Sequence, residues 1–306
     1  AVILKLNELG YTTIPGSFYG KVAEWKSWYQ GNVKDFHRYT VRNGESLVSC
    51  TRYSLGMGKK LCEDWANLLL NEKAQITLEG QKEQAEQAKA VNKELERLNA
   101  ESEQNKPEVV AHAQEMKAAL GTVAYIPRVI GQEISENGDI IPGNASGIVL
   151  DYVTIENIYP LAWQNGFISE CAFSSVVTRD GHKYMYLQIH RREANGEYVI
   201  ENRIYRNDND MLADEALANV RGFERVPPIV YTGRRTRQFV IDRPNIANNI
   251  DYQLPTGVSV FANAIDALRG VDIAYDTYIN EFVLGKKRIM VKPSASKFLD
   301  GSPVFD

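Results

Sequence analysis

Two short turn signals constrain the fold of this chain more than any other sequence feature. Asp180-Gly181 and Asn195-Gly196 separate three runs of β-branched and aromatic residues, at 171–178, 183–191 and 197–205. Asp-Gly and Asn-Gly are the pairs that tight hairpin turns favour, so the three runs are predicted to be neighbouring antiparallel strands. Met185, Leu187 and Ile189 alternate with polar and aromatic residues in the middle run. This alternation places the aliphatic side chains on one face and predicts a one-sided sheet.

The rest of the chain divides into a helical first part and a β-rich second part. Amphipathic spacing predicts a helix at 55–71. End signals predict a helix around 21–29, with Ser17 as its N-cap, and a helix at 108–120, with Pro107 before it and Gly121 after it. A strand is expected at 74–78. Residues 80–106 are almost all Glu, Gln, Lys, Ala and Asn, which is typical of a solvated surface helix. Residues 122–257 carry strand and turn patterns, with strands expected at 123–130 and 148–155. The predicted fold class is α+β.

Residues 258–284 are predicted to form one long helix with two apolar flanks. Its seam alternates spacings of three and four, as in a coiled-coil heptad, and is broken once by Asp272. A second apolar edge runs through Ala264, Val271 and Tyr278, and an acidic flank carries Asp266, Asp276 and Glu281. A helix with two apolar flanks needs neighbours on both sides, which predicts packing between copies of the chain. The seam residues expected to make that packing are Phe261, Ile265, Leu268, Tyr275, Ile279 and Phe282.

The residues that usually carry catalysis or bind metal do not cluster in the sequence. His182 and His190 share a strand face, but at ~3.3 Å per residue they lie roughly 26 Å apart, too far to share one ion. Gly56-Met57-Gly58-Lys59-Lys60 lacks the spacing of a phosphate-binding loop. The pairs Glu63-Asp64 and Asp214-Glu215 are adjacent residues on predicted helices, so their side chains diverge. We therefore expect no enzyme activity, catalytic residue, metal or cofactor, and the three cysteines are expected to be reduced thiols.

The overall charge argues against a protein that reads DNA sequence. The net charge is −4, whereas such proteins usually carry a basic balance or a dense basic patch. Two basic clusters occur, at 233–237 and at 286–288. The first is expected to solvate a loop, and the second to favour a helix C-terminus, contact DNA or a partner, or do both. The apolar runs are too short to cross a membrane, and no signal peptide opens the chain.

Three blocks of sequence resemble the portal proteins of tailed bacteriophages, in the branch of long-tailed phages of Gram-positive hosts. The blocks are residues 25–37 (WKSWYQGNVKDFH), residues 57–73 (MGKKLCEDWANLLLNEK), and a third formed by 261–266 (FANAID), 274–276 (AYD) and 281–289 (EFVLGKKRI). No single block is a catalytic signature, and the specificity lies in their joint order. The insertion-like helix at 80–106 is longer than the resemblance leads us to expect.

The resemblance implies a subunit of a closed homo-oligomeric ring, usually of about twelve copies, at one vertex of the capsid. Residues 1–257 correspond to a wing, helical over 1–121 and β-rich over 122–257; residues 258–284 correspond to a stem helix, and residues 285–306 to the start of a clip. The second stem helix, tunnel loop and crown of a complete portal are expected to be absent, which makes the chain an N-terminal fragment.

The resemblance also implies a function in DNA packaging and genome ejection. The ring is the conduit for double-stranded DNA and the docking site for the terminase, the head–tail adaptor and the major capsid protein. Its location is the virion, after assembly in the host cytoplasm. By hypothesis, Asp266, Asp272, Asp276 and Glu281 line the DNA channel, where their charge keeps phosphates from sticking. Lys286, Lys287, Arg288 and Lys292 are the hypothetical clip contacts to the terminase or adaptor.

Two other hypotheses remain open at the level of sequence. One is a minor capsid or head–tail connector protein without a conduit role. The other is a nuclease or phosphohydrolase, which would require a cluster of acidic or histidine residues that the sequence does not show.

Overall fold

The computed structural model describes residues 1–43, 46–69, 86, 88–93, 108–141, 143, 147–209, 211–284, 297–299 and 302–304. The chain is mixed α and β, and its antiparallel sheets include a curled half-barrel. It divides into two compact units. Unit 1 comprises Ala1–Gly31 and Gly56–Ala264, and unit 2 comprises Asn32–Leu55 and Ile265–Asp306. Residues 32–55, which the sequence analysis assigned to a wing, therefore group with the long helix.

An antiparallel meander dominates unit 1, as the two turn signals predicted. Its strands are β7 (Ile158–Gln164), β8 (Phe167–Arg179), β9 (His182–Arg192), β10 (Tyr198–Asp208) and β11 (Met211–Glu215), side by side in chain order. The short strand β12 (Ile229–Tyr231) pairs with the beginning of β10. Asp180 and Gly181 have φ of 51° and 80°, the pair of positive values that a tight hairpin turn needs. Asp214 and Glu215 lie on β11, so their predicted helical placement is wrong.

Both faces of the meander are covered, so the prediction of a one-sided sheet is wrong. One face packs the aliphatic residues Leu187 and Ile189 against Val2 and Leu6 of helix α1 (Val2–Glu8). The opposite face buries Tyr184 with Ile204 and Val220, in a separate cluster. The polar-looking positions of β9 are buried because tyrosine and histidine rings carry large apolar bodies.

Three helices of unit 1 pack against one another. They are α2 (Gly16–Tyr29), α4 (Met57–Leu69) and α6 (Glu108–Leu120), and residues 88–93 add a helical stretch, α5. A Cβ at Gly58 would lie 2.8 Å from the backbone oxygen of Trp28. Glycine at this position therefore allows α4 to approach α2 closely, which explains its presence in a motif that superficially suggests phosphate binding.

A second sheet leads the chain towards the long helix. It has the order β13–β3–β6, with β3 (Val123–Ile130), β6 (Gly147–Thr154) and β13 (Val240–Asp242), and the small hairpin β4 (Glu133–Ile134) and β5 (Ile140–Ile141) lies outside it. After β13 the chain crosses the end of α6, where the Val260 N–H donates to the Ala118 oxygen at 2.9 Å. Val258 and Phe261 are buried in this crossing. The predicted helix start at 258 is therefore wrong, because tertiary contacts of unit 1 hold residues 258–261 in a non-helical path.

Unit 2 combines two distant parts of the sequence. The first part contains α3 (Lys34–His37) and a hairpin of β1 (Arg38–Asn43) and β2 (Ser46–Thr51). The second part contains the long helix α7 (Ile265–Leu284) and a small hairpin of β14 (Lys297–Leu299) and β15 (Ser302–Val304). The predicted strand at 74–78 lies outside the described residues, as does most of the predicted helix at 80–106. Within the described parts of the chain, no helix combines the length and the apolar character that crossing a bilayer requires.

Candidate functional site

Helix α7 buries charged side chains and exposes apolar ones, which reverses the usual pattern of a surface helix. Asp272 and Asp276 are only 4% and 8% exposed. Tyr278 and Phe282 are 60% and 67% exposed. At ~100° per residue, Asp272 and Asp276 share one face of the helix, whereas Tyr278 and Phe282 share another, about a quarter-turn or more away. The two faces therefore have different roles.

The buried face binds the chain segment that follows β2. The Asp272 carboxylate accepts the Leu55 N–H at 2.8 Å and the Ser54 hydroxyl at 3.1 Å. One turn later, the Asp276 carboxylate accepts the Tyr53 N–H at 3.0 Å. Because residues four apart stand above one another on a helix, the two carboxylates satisfy backbone donors along the segment 53–55. They attach residues 53–55 to α7 within unit 2.

His37 completes this polar cluster, and its hydrogen bonds indicate the role of each ring nitrogen. Its Nε2 lies 2.9 Å from the Asp272 carboxylate, and its Nδ1 accepts the Val33 N–H at 2.8 Å. Since Nδ1 acts as an acceptor, Nε2 carries the proton and donates it to Asp272. Both ring nitrogens are then occupied. The His37–Asp272 pair therefore joins residues 33–37 to α7 within unit 2.

The prediction that Asp272 and Asp276 line a channel is wrong. Both side chains are buried, and their carboxylates accept hydrogen bonds from residues 37 and 53–55, so they do not face a solvent-filled channel. Asp266 and Glu281 are exposed, and their placement in a channel stays a prediction. Heptad spacing shows Asp272 only as an interruption of an apolar seam. The spacing of four between Asp272 and Asp276 could have indicated that both carboxylates lie on the seam side of the helix and bind the same segment.

The apolar residues of α7 separate into buried and exposed sets. Phe261 and Leu268, both predicted to pack between subunits, are buried within this chain, so that prediction is wrong for these two. Ile265, Tyr275 and Ile279 are half-buried. The exposed large apolar residues of α7 are Val271, Ile273, Tyr278, Phe282 and Val283. Of these, Val271, Tyr278 and Phe282 lie within about 40° of one another around the helix. We call these three residues the α7 stripe.

The aromatic end of the α7 stripe is ordered by its own contact. The rings of Tyr278 and Phe282 meet edge to face with centroids 4.7 Å apart. An i, i+4 pair of this kind stabilises the helix by about 0.2–0.5 kcal/mol. The stripe therefore presents a preformed aromatic surface rather than two independent side chains.

The β1–β2 hairpin of unit 2 adds further exposed apolar surface. Val41 and Val48 face each other across the strands, and each is 44% exposed; Leu47 is 74% exposed. A two-stranded hairpin without a covering layer is marginally stable in water at best. In the described part of the chain, these three side chains stay exposed to solvent, unlike the buried residues of the central meander.

The predicted clip residues Lys286, Lys287, Arg288 and Lys292 lie outside the described residues. Among the residues that are described, no group of three or more His, Cys, Asp or Glu side chains could hold a metal ion. Cys62 and Cys171 are buried free thiols, and burial raises the pKa of Cys62 to about 12, so it stays protonated and unreactive at neutral pH.

The chain was compared with known proteins by sequence. A scan against models of protein families finds none that matches, and a search of curated proteins finds no significant match.

Proposed function

We propose that this chain is a structural subunit that packs side by side with its own copies into a ring at one vertex of a phage capsid. The ring would be the portal through which double-stranded DNA enters during packaging and leaves during ejection. The observation that carries the proposal is the α7 stripe, exposed on a helix whose buried face is already occupied by its own chain. The resemblance of the three sequence blocks to portal proteins supports it.

The energetics of the exposed side chains favour a partner. Burying one large apolar side chain contributes roughly 1.5–3 kcal/mol, and aromatic residues are enriched in the centres of interfaces. The α7 stripe and the exposed valines and leucine of the hairpin belong to the same unit. Exposed apolar patches of this kind mark interaction surfaces. A second copy is the proposed occupant because a ring brings the same helix of neighbouring subunits together.

The remaining charged face of α7 suits a conduit rather than a DNA-binding surface. Asp266 and Glu281 are exposed and lie away from both the buried face and the α7 stripe. Carboxylates facing a channel repel phosphates, so DNA can move past without being held. In this proposal the terminase, the head–tail adaptor and the major capsid protein are the partners of the ring. The ring acts in the virion, after assembly in the host cytoplasm.

The test is the assembly state of the full chain and of two variants. We expect light scattering to give one large species for the wild type, and end-on electron microscopy to show rings with a central hole. Tyr278→Glu combined with Phe282→Glu places charge in the α7 stripe and should yield monomers. Thr277→Glu adds charge to an exposed position on a different side of the same helix and should leave the rings intact. Circular dichroism checks that all three remain folded.

The outcomes separate the proposal from its alternatives. A wild-type chain that stays a stable monomer at high concentration contradicts the ring. Assemblies without a through-hole favour a minor capsid or head–tail connector protein, and they contradict the conduit.

A further inference from the structure

A small pocket of about 240 Å³ in unit 1 is lined by two arginines and by no carboxylate. Arg237 and Arg243 share its wall with the turn between β7 and β8, which contributes Asn165 and Gly166. The sequence analysis noted Arg237 only as part of a loop cluster. In the structure it is separated from its neighbours Arg234 and Arg235, which are exposed and do not line the pocket.

Arg237 is held in place by backbone and aromatic contacts. Its Nη1 donates to the Ile168 oxygen at 2.6 Å, and its guanidinium lies over the Phe167 ring at 4.2 Å. The guanidinium is partly removed from water, and this desolvation lowers the pKa of Arg237 from its ordinary value. In the described parts of the chain no ion pair compensates its charge. A fixed, partly desolvated cation without a counter-charge is what an anion site requires.

Arg243 reaches the same pocket through a gap that only glycine leaves open. Its Nη1 donates to the Pro255 oxygen at 2.7 Å. A Cβ on Gly166 would lie 2.9 Å from the Arg243 Nη2, so any larger residue in the turn would displace the guanidinium. Gly166 also has a φ of 78°, which side-chain-bearing residues adopt at a cost. The turn thus sets the position of the second cation.

From this geometry we propose that the pocket binds a small phosphate-type oxyanion. Each guanidinium has five N–H donors, and the protein uses one donor of each in the hydrogen bonds above, so both can still donate to a ligand. Two cations from separate elements match a tetrahedral dianion better than a planar monoanion such as a carboxylate. The volume lies below the ~300 Å³ at which pockets for drug-sized ligands begin, so the pocket suits a single phosphate group and not a nucleotide. This site is independent of the proposed ring.

The experiment is calorimetric titration of the full chain with inorganic phosphate at pH 8, at constant ionic strength maintained with sodium chloride. We expect saturable binding of one phosphate per chain. Arg243→Gln and Arg237→Gln should each weaken binding roughly tenfold or more, because each removes charge-assisted hydrogen bonds. Arg235→Gln removes the same charge from the same loop but outside the pocket, and it should bind as the wild type does.

Gly166→Ala distinguishes binding in the pocket from non-specific electrostatic attraction of phosphate to the arginines. It leaves every charge in place but displaces Arg243, so it should weaken phosphate binding while net charge stays constant. The proposal is overturned if the wild type shows no saturable binding, if Arg235→Gln weakens binding as much as Arg243→Gln does, or if acetate binds as tightly as phosphate.

Discussion

Asp272 is the single charged residue in the seam of α7, and its carboxylate accepts three hydrogen bonds from residues 37, 54 and 55. Removing the carboxylate deprives the buried His37 Nε2–H and the part-buried Leu55 N–H of this acceptor. An unsatisfied buried donor costs about 1–3 kcal/mol, so we expect Asp272→Ala to destabilise unit 2 by about 2–4 kcal/mol. Urea denaturation and amide exchange at Leu55 measure the effect.

The matched control for Asp272 lies on the same helix. Glu281 is exposed near the end of α7, so Glu281→Ala should change stability by no more than about 0.5 kcal/mol. Unchanged protection of the Leu55 amide in Asp272→Ala would mean that the carboxylate does not hold the 53–55 segment.

His190 is the second residue whose environment makes a measurable prediction. It is buried between the Phe173 and Phe239 rings, at centroid distances of 5.2 and 5.6 Å, and desolvation lowers its pKa to about 4. Above pH 6.5 the ring is neutral in both folded and unfolded chains. Between pH 6.5 and about 4 only the unfolded chain binds the proton, so stability falls as pH falls, by up to about 3 kcal/mol.

His190→Phe removes this titration and keeps an aromatic ring in the cluster. The variant should therefore lose less stability than the wild type between pH 6.5 and 4, as measured by urea denaturation at each pH. Parallel pH profiles for the wild type and His190→Phe are incompatible with a neutral, buried His190.

At the scale of elements, the crossing between α6 and the segment before α7 depends on Gly121. Its φ is 85°, and a Cβ there would lie 2.7 Å from the backbone of Gly257 and Val258. Gly181 has a similar φ of 80° with open space around it. Gly181→Ala should cost about 1–2 kcal/mol from backbone strain alone, whereas Gly121→Ala should cost more because backbone atoms must also move apart. Equal losses in thermal denaturation would show that the crossing is not tightly packed.

Sequence patterns predicted the elements whose structure is decided locally. Asp180-Gly181 sets its own turn, and α6 lies at Glu108–Leu120, where Pro107 and Gly121 predicted its start and end. The start of α7 was not predictable in this way. Val258 and Phe261 fit the heptad spacing, but contacts with the end of α6 determine their backbone path. Periodicity predicts only which side of a helix an apolar residue would occupy. It does not predict which distant segment packs against that residue.

The polar cluster of unit 2 shows the same limit for the candidate site. Leu55 and Asp272 are 217 positions apart, and no local pattern connects them. Burial of Tyr184 and His190 was also missed, because both residues look polar in an alternating strand. The exposed apolar edge through Val271 and Tyr278 was predictable from helix geometry alone, whereas Asp276 of the predicted acidic flank is buried.

At the scale of the whole molecule, the proposed conduit implies weak contact with DNA. The net charge is −4, and Asp266 and Glu281 present further negative charge on α7. We expect duplex DNA to bind no tighter than ~10⁻⁶ M at physiological salt, and Asp266→Asn with Glu281→Gln to bind more tightly and with a steeper salt dependence. Fluorescence anisotropy of a labelled duplex measures the affinity and its salt dependence. The salt concentration is varied from about 50 to about 200 mM, around the physiological value of ~0.15 M.

The control for the DNA experiment removes the same number of negative charges from unit 1 instead of from α7. Glu133→Gln with Glu136→Gln neutralises two exposed acids of unit 1, and it should leave DNA binding near that of the wild type. Nanomolar affinity of the wild type for duplex, or an equal gain in both double variants, argues against acids of α7 facing the DNA.

The long separation within unit 2 also dictates an order of events during synthesis. His37 leaves the ribosome 235 residues before Asp272, the residue that binds it, and the β1–β2 hairpin follows directly after His37. At ~5–20 residues per second, that interval is roughly ten to fifty seconds. During this interval α7 and its two acceptor carboxylates have not yet been synthesised. The nascent chain is therefore most open to proteases and chaperones at the β1–β2 hairpin. A truncated translation product ending before α7 should be cut there first.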